Sequence, residues 1–392
     1  MMVEKPLPKP SIAVWQPYFL GGGAEAVALW ILEALVEKYD VTLFTLAAID
    51  LDKMNRMYDT HLKPEQLKIR AVLPQQLTDL ADRLIANSPV IRLALIYTSI
   101  QALKSESASY DLAFSAYNAV DLGCPGVQYL HWVNVVEQDP HKAGWWLRLL
   151  MKLTDFSRDR LKQNVSLANS RYTADRVYQT YGIHSEVVYP PVVSDIQEVP
   201  WEEKEDAFLC SGRVVVAKQT HRVINIVKKV RDRGFDVKLH ITGGGGGAYR
   251  WGYQRKVEKL AAEYSDWVYL HQNLPYRDYL KIVAQCRYGI HYKPEPFGIS
   301  VAEMVKAGMI PFVRSRGGQV EIIGEQNTDV LFNKEPDAVE KIIAVLESRE
   351  RQTELLSSLK HQKPLFSTER FMTEIDSITH QTLVNHRQGL TK

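Results

Sequence analysis

The stretch Glu295-Pro296-Phe297-Gly298-Ile299-Ser300-Val301-Ala302-Glu303 follows an apolar run, Tyr288-Gly289-Ile290-His291-Tyr292, and leads into Val301, Met304 and Val305, which recur at helical spacing before Gly308. The run reads as a short buried strand and the segment after it as an amphipathic helix, so the nonapeptide is a strand-to-helix junction. A helix N-terminus at that point presents unpaired amides and a partial positive charge, which suits an anion such as a diphosphate. Gly298 removes a side chain where a ligand approaches the backbone. Carboxylates repel a diphosphate at contact distance, so Glu295 and Glu303 suit neutral hydroxyls instead. A nucleotide sugar carries both kinds of group. The same letters permit a plainer reading, a capping box with Ser300 as N-cap and Glu303 reaching back to its amide.

Outward from this junction, short apolar runs alternate with helical segments. Ser11 to Trp15, Val41 to Thr45, Lys68 to Val72, Asp111 to Ser115, Val127 to His131, Val165 to Asn169 and Glu186 to Tyr189 read as strands, with helices such as Ala24 to Tyr39 and Ser170 to Tyr181 between them. A second series runs Ala207 to Ser211, Asp236 to Thr242, Trp267 to Leu270, Tyr288 to Tyr292, Ile310 to Val313 and Asp329 to Phe332. Such alternation implies mostly parallel, doubly wound α/β sheets. Pro190-Pro191 and the polar stretch Ser194 to Glu205 read as the connection between two domains.

Several landmarks occur in a family's order: Gly21-Gly22-Gly23-Ala24-Glu25, Ala168-Asn169-Ser170-Arg171-Tyr172-Thr173-Ala174, Val188-Tyr189-Pro190-Pro191, Gly212-Arg213 with Lys218, the Glu295 to Glu303 element, and Gly317-Gly318. Together they resemble the retaining glycosyltransferases of family 4. That resemblance implies the GT-B fold, two facing Rossmann-like doubly wound domains with an interdomain cleft: residues 1–193 on the acceptor side, 194–366 binding the nucleotide sugar, and 367–392 returning as a helix to the first domain. Gly289-Ile290-His291, Phe297-Gly298-Ile299 and Gly308-Met309-Ile310-Pro311 look most like the mannosyltransferases that extend lipid-linked oligosaccharides with GDP-mannose.

The resemblance also assigns parts. Arg213 and Lys218 contact the diphosphate leaving group, and a fixed guanidinium with a mobile ammonium could replace a divalent metal there. Glu295 takes the donor sugar's hydroxyls and Glu303 the ribose hydroxyls. Phe297, Gly298 and Ile299 offer backbone donors, while Ser300 and Val301 begin the helix under the phosphates. Gly22 and Gly23 bring amides against the diphosphate or the sugar. His131 stands near the anomeric centre, and Asn273 and Leu274 lie in the segment that reads the base. Gly243 opens a glycine run at the cleft edge that lacks dinucleotide-fingerprint spacing. No nucleophile, metal or cofactor is assigned, and the donor is a co-substrate.

Other readings compete. Two carboxylates also suit a glycoside hydrolase's acid and base, but here both belong to an anion-binding helix start. UDP-hexose or UDP-N-acetylhexosamine donors, with a soluble small-molecule acceptor, stay open beside a glycan or glycolipid. So does a nucleotide-sugar-binding subunit without turnover. A phosphorylase would need a pyridoxal phosphate site, and no lysine context marks one.

With 48 basic and 46 acidic residues among 392, and 45% hydrophobic content, the chain reads as a two-domain globular protein with no call for a nucleic-acid partner. Cys124, Cys210 and Cys286 are widely spaced and cannot all pair, which points to the reducing cytoplasm. Met1 to Pro10 is polar and no run of about 18 apolar residues occurs, so no transmembrane anchor is expected. Residues 142–162 interleave Trp145, Trp146, Leu149, Leu150 and Leu153 with Arg148, Lys152, Arg158 and Arg160. This reads either as a basic amphipathic helix docking peripherally on the cytoplasmic membrane face or as a core helix with a solvated basic face.

Overall fold

The computed structural model describes residues 8–78, 80, 85, 88–133, 145–192, 196–197, 199–243, 252–272 and 274–389. Two compact units emerge, one of Met1–Asn169, Thr173–Pro191 and Glu369–Lys392, the other of Ser170–Tyr172 and Val192–Thr368.

The first unit is built on β1 (Ser11–Trp15), β2 (Asp40–Thr45), β3 (Leu67–Ala71), β4 (Leu112–Ser115), β5 (Gly126–Leu130), β6 (Val165–Ala168) and β7 (Glu186–Val187). They form one sheet in the order β3-β2-β1-β4-β5-β6-β7, every pairing parallel. Parallel neighbours need crossover helices, which cover both faces, so the inner strands bury both of their side-chain rows, whereas the edge strand β3 is exposed beyond Leu67. In β1, Ile12 and Val14 enter one core with the helix Gly23–Val36, while Ala13 and Trp15 enter the other with Ile96 and Ile100 of the helix Pro89–Glu106. The last helix, Thr368–Arg387, sets Phe371, Ile375 and Leu383 into the first of these cores. Lys38 and Asp376 add an ion pair of 2.6 Å at its edge.

The second unit carries β8 (Glu205–Ser211), β9 (Lys238–Thr242), β10 (Val268–His271), β11 (Cys286–His291), β12 (Ile310–Arg314) and β13 (Leu331–Phe332), ordered β10-β9-β8-β11-β12-β13 and again parallel throughout. Ala207 and Leu209 of β8 pack on one side with Met304 and Met309. On the other side Phe208 stacks on Tyr288 at 5.1 Å, with Phe312 beyond. In both sheets the strand order reverses beside the first strand. Such switch points open a crevice beyond the carboxyl ends of the strands, where ligands of doubly wound sheets bind.

All thirteen strands expected from sequence occur, with ends displaced by at most two residues. The stretch 142–162 departs from its reading as one helix, and residues 142–144 lie outside the described ones. It breaks into Trp145–Leu153 and Arg158–Gln163, with Asp155 between them at φ 45°. The break is pinned by Asp121, which accepts from the Ser157 amide at 2.7 Å, Arg160 Nε at 3.0 Å and Lys104 Nζ at 2.9 Å. Leu150, Met151 and Phe156 pack on Tyr97, whereas Trp145 (72% exposed), Trp146, Leu149 and Leu153 (69%) face out beside exposed Arg148 and Lys152. One face thus packs on the first unit's core, as the core-helix reading expects, while the solvated face is aromatic and apolar as well as basic.

Candidate functional site

The expected site residues of the second unit gather around the carboxyl ends of β8 and β11. β11 ends at His291, and the chain turns through Lys293 and Glu295 into the helix Ile299–Lys306. Gly298 is the N-cap at φ 113°, where a side chain would be strained, and it makes no side-chain cap hydrogen bond. This overturns the capping-box reading: Ser300 lies inside the helix, and the Glu303 carboxylate accepts from Tyr279 Oη at 2.6 Å. The first-turn amides of Ile299 and Ser300 have no intrahelical acceptor. Val301 differs from expectation, because its amide already donates to the Gly298 carbonyl at 2.8 Å and its side chain is fully buried. It supports the helix start but has no free donor for a phosphate. Phe297 is likewise a core side chain, edge-on to Phe366 at 5.7 Å.

Glu295 sits among cations and dipoles. Its Oε1 lies 2.7 Å from Lys218 Nζ and 3.2 Å from His291 Nε2, and its Oε2 lies 3.4 Å from Lys293 Nζ. Burial pushes the carboxyl pKa up, but the His291 hydrogen bond and the Lys218 charge outweigh it and hold the group down at about 2. Burial pushes the His291 pKa down, so a neutral ring with its proton on Nε2 satisfies the geometry. Fully buried Gln319 fastens the loop, its Oε1 accepting from the Glu295 amide at 2.6 Å and its Nε2 donating to the Lys293 carbonyl at 3.2 Å. The glycines before it permit that approach, since a Cβ on Gly317 would stand 2.6 Å from the Glu295 carbonyl oxygen and one on Gly318 2.1 Å from that of Pro296.

Glu303 is electrostatically the opposite case. Burial pushes its pKa up to about 7, with the Tyr279 hydrogen bond pulling the other way. The two glutamates thus differ by environment, one firmly ionised and one poised near neutrality.

Lys218 reaches Glu295 by passing over Gly212, where a Cβ would make only ordinary contact with the lysine stem at 3.4 Å; the φ of 134° is what calls for glycine there. Arg213 is exposed, and its side chain makes no ion pair or hydrogen bond among the described residues; it is not brought to Glu295. Gly243, at φ 139°, donates its amide to the His271 carbonyl at 3.1 Å, and a Cβ there would meet the Gly212 carbonyl oxygen at 2.2 Å. Its first task is to let the loops after β8 and β9 touch. Leu274 is half-buried just before the helix Tyr276–Gln285; Asn273 and the glycines after Gly243 lie outside the described residues.

In the first unit, Gly22 caps the helix Gly23–Val36, and Gly23 is its first residue. Glu25 folds back so that its carboxylate would stand 2.7 Å from a Cβ on Gly22. A diphosphate at this loop would meet that negative charge. His131 follows β5; its amide donates to Asn118 Oδ1 at 2.8 Å and its Nε2 to the Ala116 carbonyl at 2.9 Å. Burial pushes the imidazole pKa down to about 4, with that carbonyl hydrogen bond opposing, so the ring is neutral at ordinary pH with Nδ1 unprotonated.

His291, Lys293, Gln319 and Tyr279 had no assigned role in the sequence reading. For Gln319 the available signal was Gly317-Gly318, a backbone crossing beside a buried amide. For Tyr279 there was none, because its partner lies 24 positions away on another helix.

Residues 194–361 match the family model described as Glycosyl transferases group 1. The second unit is a group 1 glycosyltransferase domain. Around this glycosyltransferase domain the whole chain has the GT-B fold, shown by its likeness to solved structures. HepE of Anabaena, solved in complex with UDP and glucose, matches at TM-score 0.67 and 15% identity over 96% of this chain and 100% of its own. Sucrose-phosphate synthase of Thermosynechococcus elongatus matches at 0.66 and 14%, over 96% and 100%. WaaG, a glycosyltransferase involved in lipopolysaccharide biosynthesis, matches at 0.64 and 15%, over 93% and 99%. No curated protein matches in sequence. Among the described residues of this glycosyltransferase fold, no helix is long and apolar enough to cross a membrane.

Proposed function

We propose that the protein is a retaining glycosyltransferase that moves a hexose from a nucleotide sugar, GDP-mannose first among donors, to a hydroxyl of a glycan or glycolipid. The observation that carries this reading is the pair of unlike glutamates flanking one helix start: Glu295 ionised and held by Lys218, Glu303 near neutrality on Tyr279. Glu295 accepts from the sugar's hydroxyls and Glu303 from the ribose. The amides of Gly298, Ile299 and Ser300 receive the phosphates. Lys218 exchanges its Glu295 partner for the leaving diphosphate, joined by Arg213, so that no divalent metal is required. Gly22 and Gly23, with Glu25 beside them, suit a hydroxyl-bearing sugar better than a second anion. His131, neutral and tied to the Ala116 carbonyl, serves as a polar wall near the anomeric carbon rather than as an acid.

UDP-hexose is the second donor reading, favoured by the fold's likeness to HepE, which was solved with UDP and glucose. Thermal melts with GDP, UDP, GDP-mannose and UDP-glucose, with and without EDTA, separate the two. A ligand at 100 times its dissociation constant adds roughly 2.7 kcal/mol. We expect GDP and GDP-mannose to raise the melting temperature of the parent, to leave Glu303→Ala unmoved, and to be indifferent to EDTA. A UDP-only response would transfer the donor assignment to uridine, and silence towards every nucleotide would remove the transferase reading.

The exposed Trp145, Trp146, Leu149 and Leu153 beside Arg148 and Lys152 fit peripheral docking on an anionic membrane that presents a lipid-linked acceptor. Co-sedimentation with phosphatidylglycerol liposomes should fall several-fold on Trp145→Glu/Trp146→Glu and at high salt. Equal pelleting of parent and variant would discard this face as an anchor.

A further inference from the structure

Three elements of the second unit converge on Glu303. Ser211, at the end of β8, donates its hydroxyl proton to Tyr279 Oη at 3.1 Å, and Tyr279, on the helix Tyr276–Gln285, donates in turn to Glu303 Oε2 at 2.6 Å. A hydroxyl that accepts from one side has its own proton directed to the other, so the relay runs one way, from serine to tyrosine to carboxylate. It occupies one oxygen of Glu303. The other, Oε1, has no hydrogen-bond partner among the described residues and is not a buried orphan, so solvent reaches it.

We propose that Tyr279 is a positioning residue for ribose recognition: aligned by Ser211, its hydroxyl fixes the Glu303 carboxylate so that Oε1 accepts from the 2′ and 3′ hydroxyls of a nucleoside diphosphate. The proposal rests on the ribose role given to Glu303 above. A carboxylate held by one oxygen keeps a single rotamer, and an adjacent pair of hydroxyls presents two donors to the remaining lone pairs. Without the tyrosine hydroxyl, Glu303 would lose both its orientation and the hydrogen bond that favours its ionised, acceptor-only form. Tyr279 would then act on the nucleoside without touching the reacting atoms.

Calorimetric titration of UDP and GDP, each beside its 2′,3′-dideoxy form, tests this on the full chain. The parent should prefer the ribose form of at least one base by about tenfold or more, the size of a lost hydrogen bond to a charged group. Tyr279→Phe should shrink that ratio to within about threefold while dideoxy affinity stays at the parent's level, which also reports that the variant is folded. Ser211→Ala, which removes only the alignment, should give a smaller fall. In turnover assays Tyr279→Phe should raise the donor KM and leave kcat nearly unchanged. A parent that discriminates alongside a Tyr279→Phe variant that keeps the same ratio overturns the proposal. A parent indifferent to the missing hydroxyls overturns the ribose role of Glu303 itself, and the Tyr279 proposal with it.

Discussion

Glu295→Gln is expected to lower the rate of nucleoside-diphosphate release from the donor sugar by about 10²- to 10³-fold, the scale seen when a preorganised charged contact is removed from a reaction centre. The carboxylate is held by Lys218 at 2.7 Å and His291 at 3.2 Å, with its backbone amide clamped by Gln319. It is therefore ionised and oriented before any ligand arrives, and a glutamine keeps the shape while losing the charge. Lys218 would also lose its resting partner. The same substitution should lower stability near neutral pH. A folded-state pKa held down at about 2 from the ordinary 4.5 represents roughly 3 kcal/mol, present above the unfolded value and lost as pH falls through the folded one. Parent and variant melting temperatures should thus differ most near pH 7 and converge as pH falls from about 4.5 toward 2. Parental turnover in the variant would remove Glu295 from the reaction.

Glu303→Gln should weaken nucleoside-diphosphate binding by about 10- to 100-fold, because a charged acceptor for ribose hydroxyls is replaced by a neutral one. Its stability effect should have the opposite sign. The folded-state pKa is raised from 4.5 to about 7, so the folded chain binds more protons than the unfolded one between those values, and the ligand-free protein loses stability as pH rises through that window. The glutamine variant, with nothing to ionise, should melt above the parent at about pH 8 while binding nucleotide worse. In the parent, nucleotide affinity should rise as pH increases through about 7, since the ionised carboxylate is the better acceptor. A variant that binds nucleotide as the parent does, or a pH-independent parental affinity, would show that Glu303 does not meet the ribose.

Much of the scaffold could be read from the chain alone. Strands such as Ser11–Trp15 and Ile310–Arg314 each carry four successive apolar residues because parallel strands covered by helices bury both rows of side chains. The junction was legible because Val301, Met304 and Val305 recur at helical spacing after an apolar run, whereas the φ of 113° that makes Gly298 the N-cap was not. Gly317 and Gly318 stood out as letters, but their use, admitting the Glu295 loop against Gln319, was not legible, since close backbone approach leaves no sign in the partner's sequence. The helical pattern at 142–162 failed for a similar reason. Asp155 at φ 45° and the ion pairs from Lys104 and Arg160 to Asp121 break the helix, and Lys104 and Asp121 lie outside the window whose periodicity suggested it.

The sequence by itself determined two doubly wound parallel sheets, the strand-to-helix junction carrying Glu295 and Glu303, and the cations Lys218 and Arg213 after β8, because periodicity, glycines and residue type are local properties. Only the tertiary structure decided the state of each group. It placed Lys218 and His291 on Glu295 and Tyr279 on Glu303, so that one carboxylate is firmly ionised and the other titrates near neutrality. Ionisation depends on desolvation and on charges a few ångströms away, and those neighbours come from 4, 24 and 77 positions along the chain.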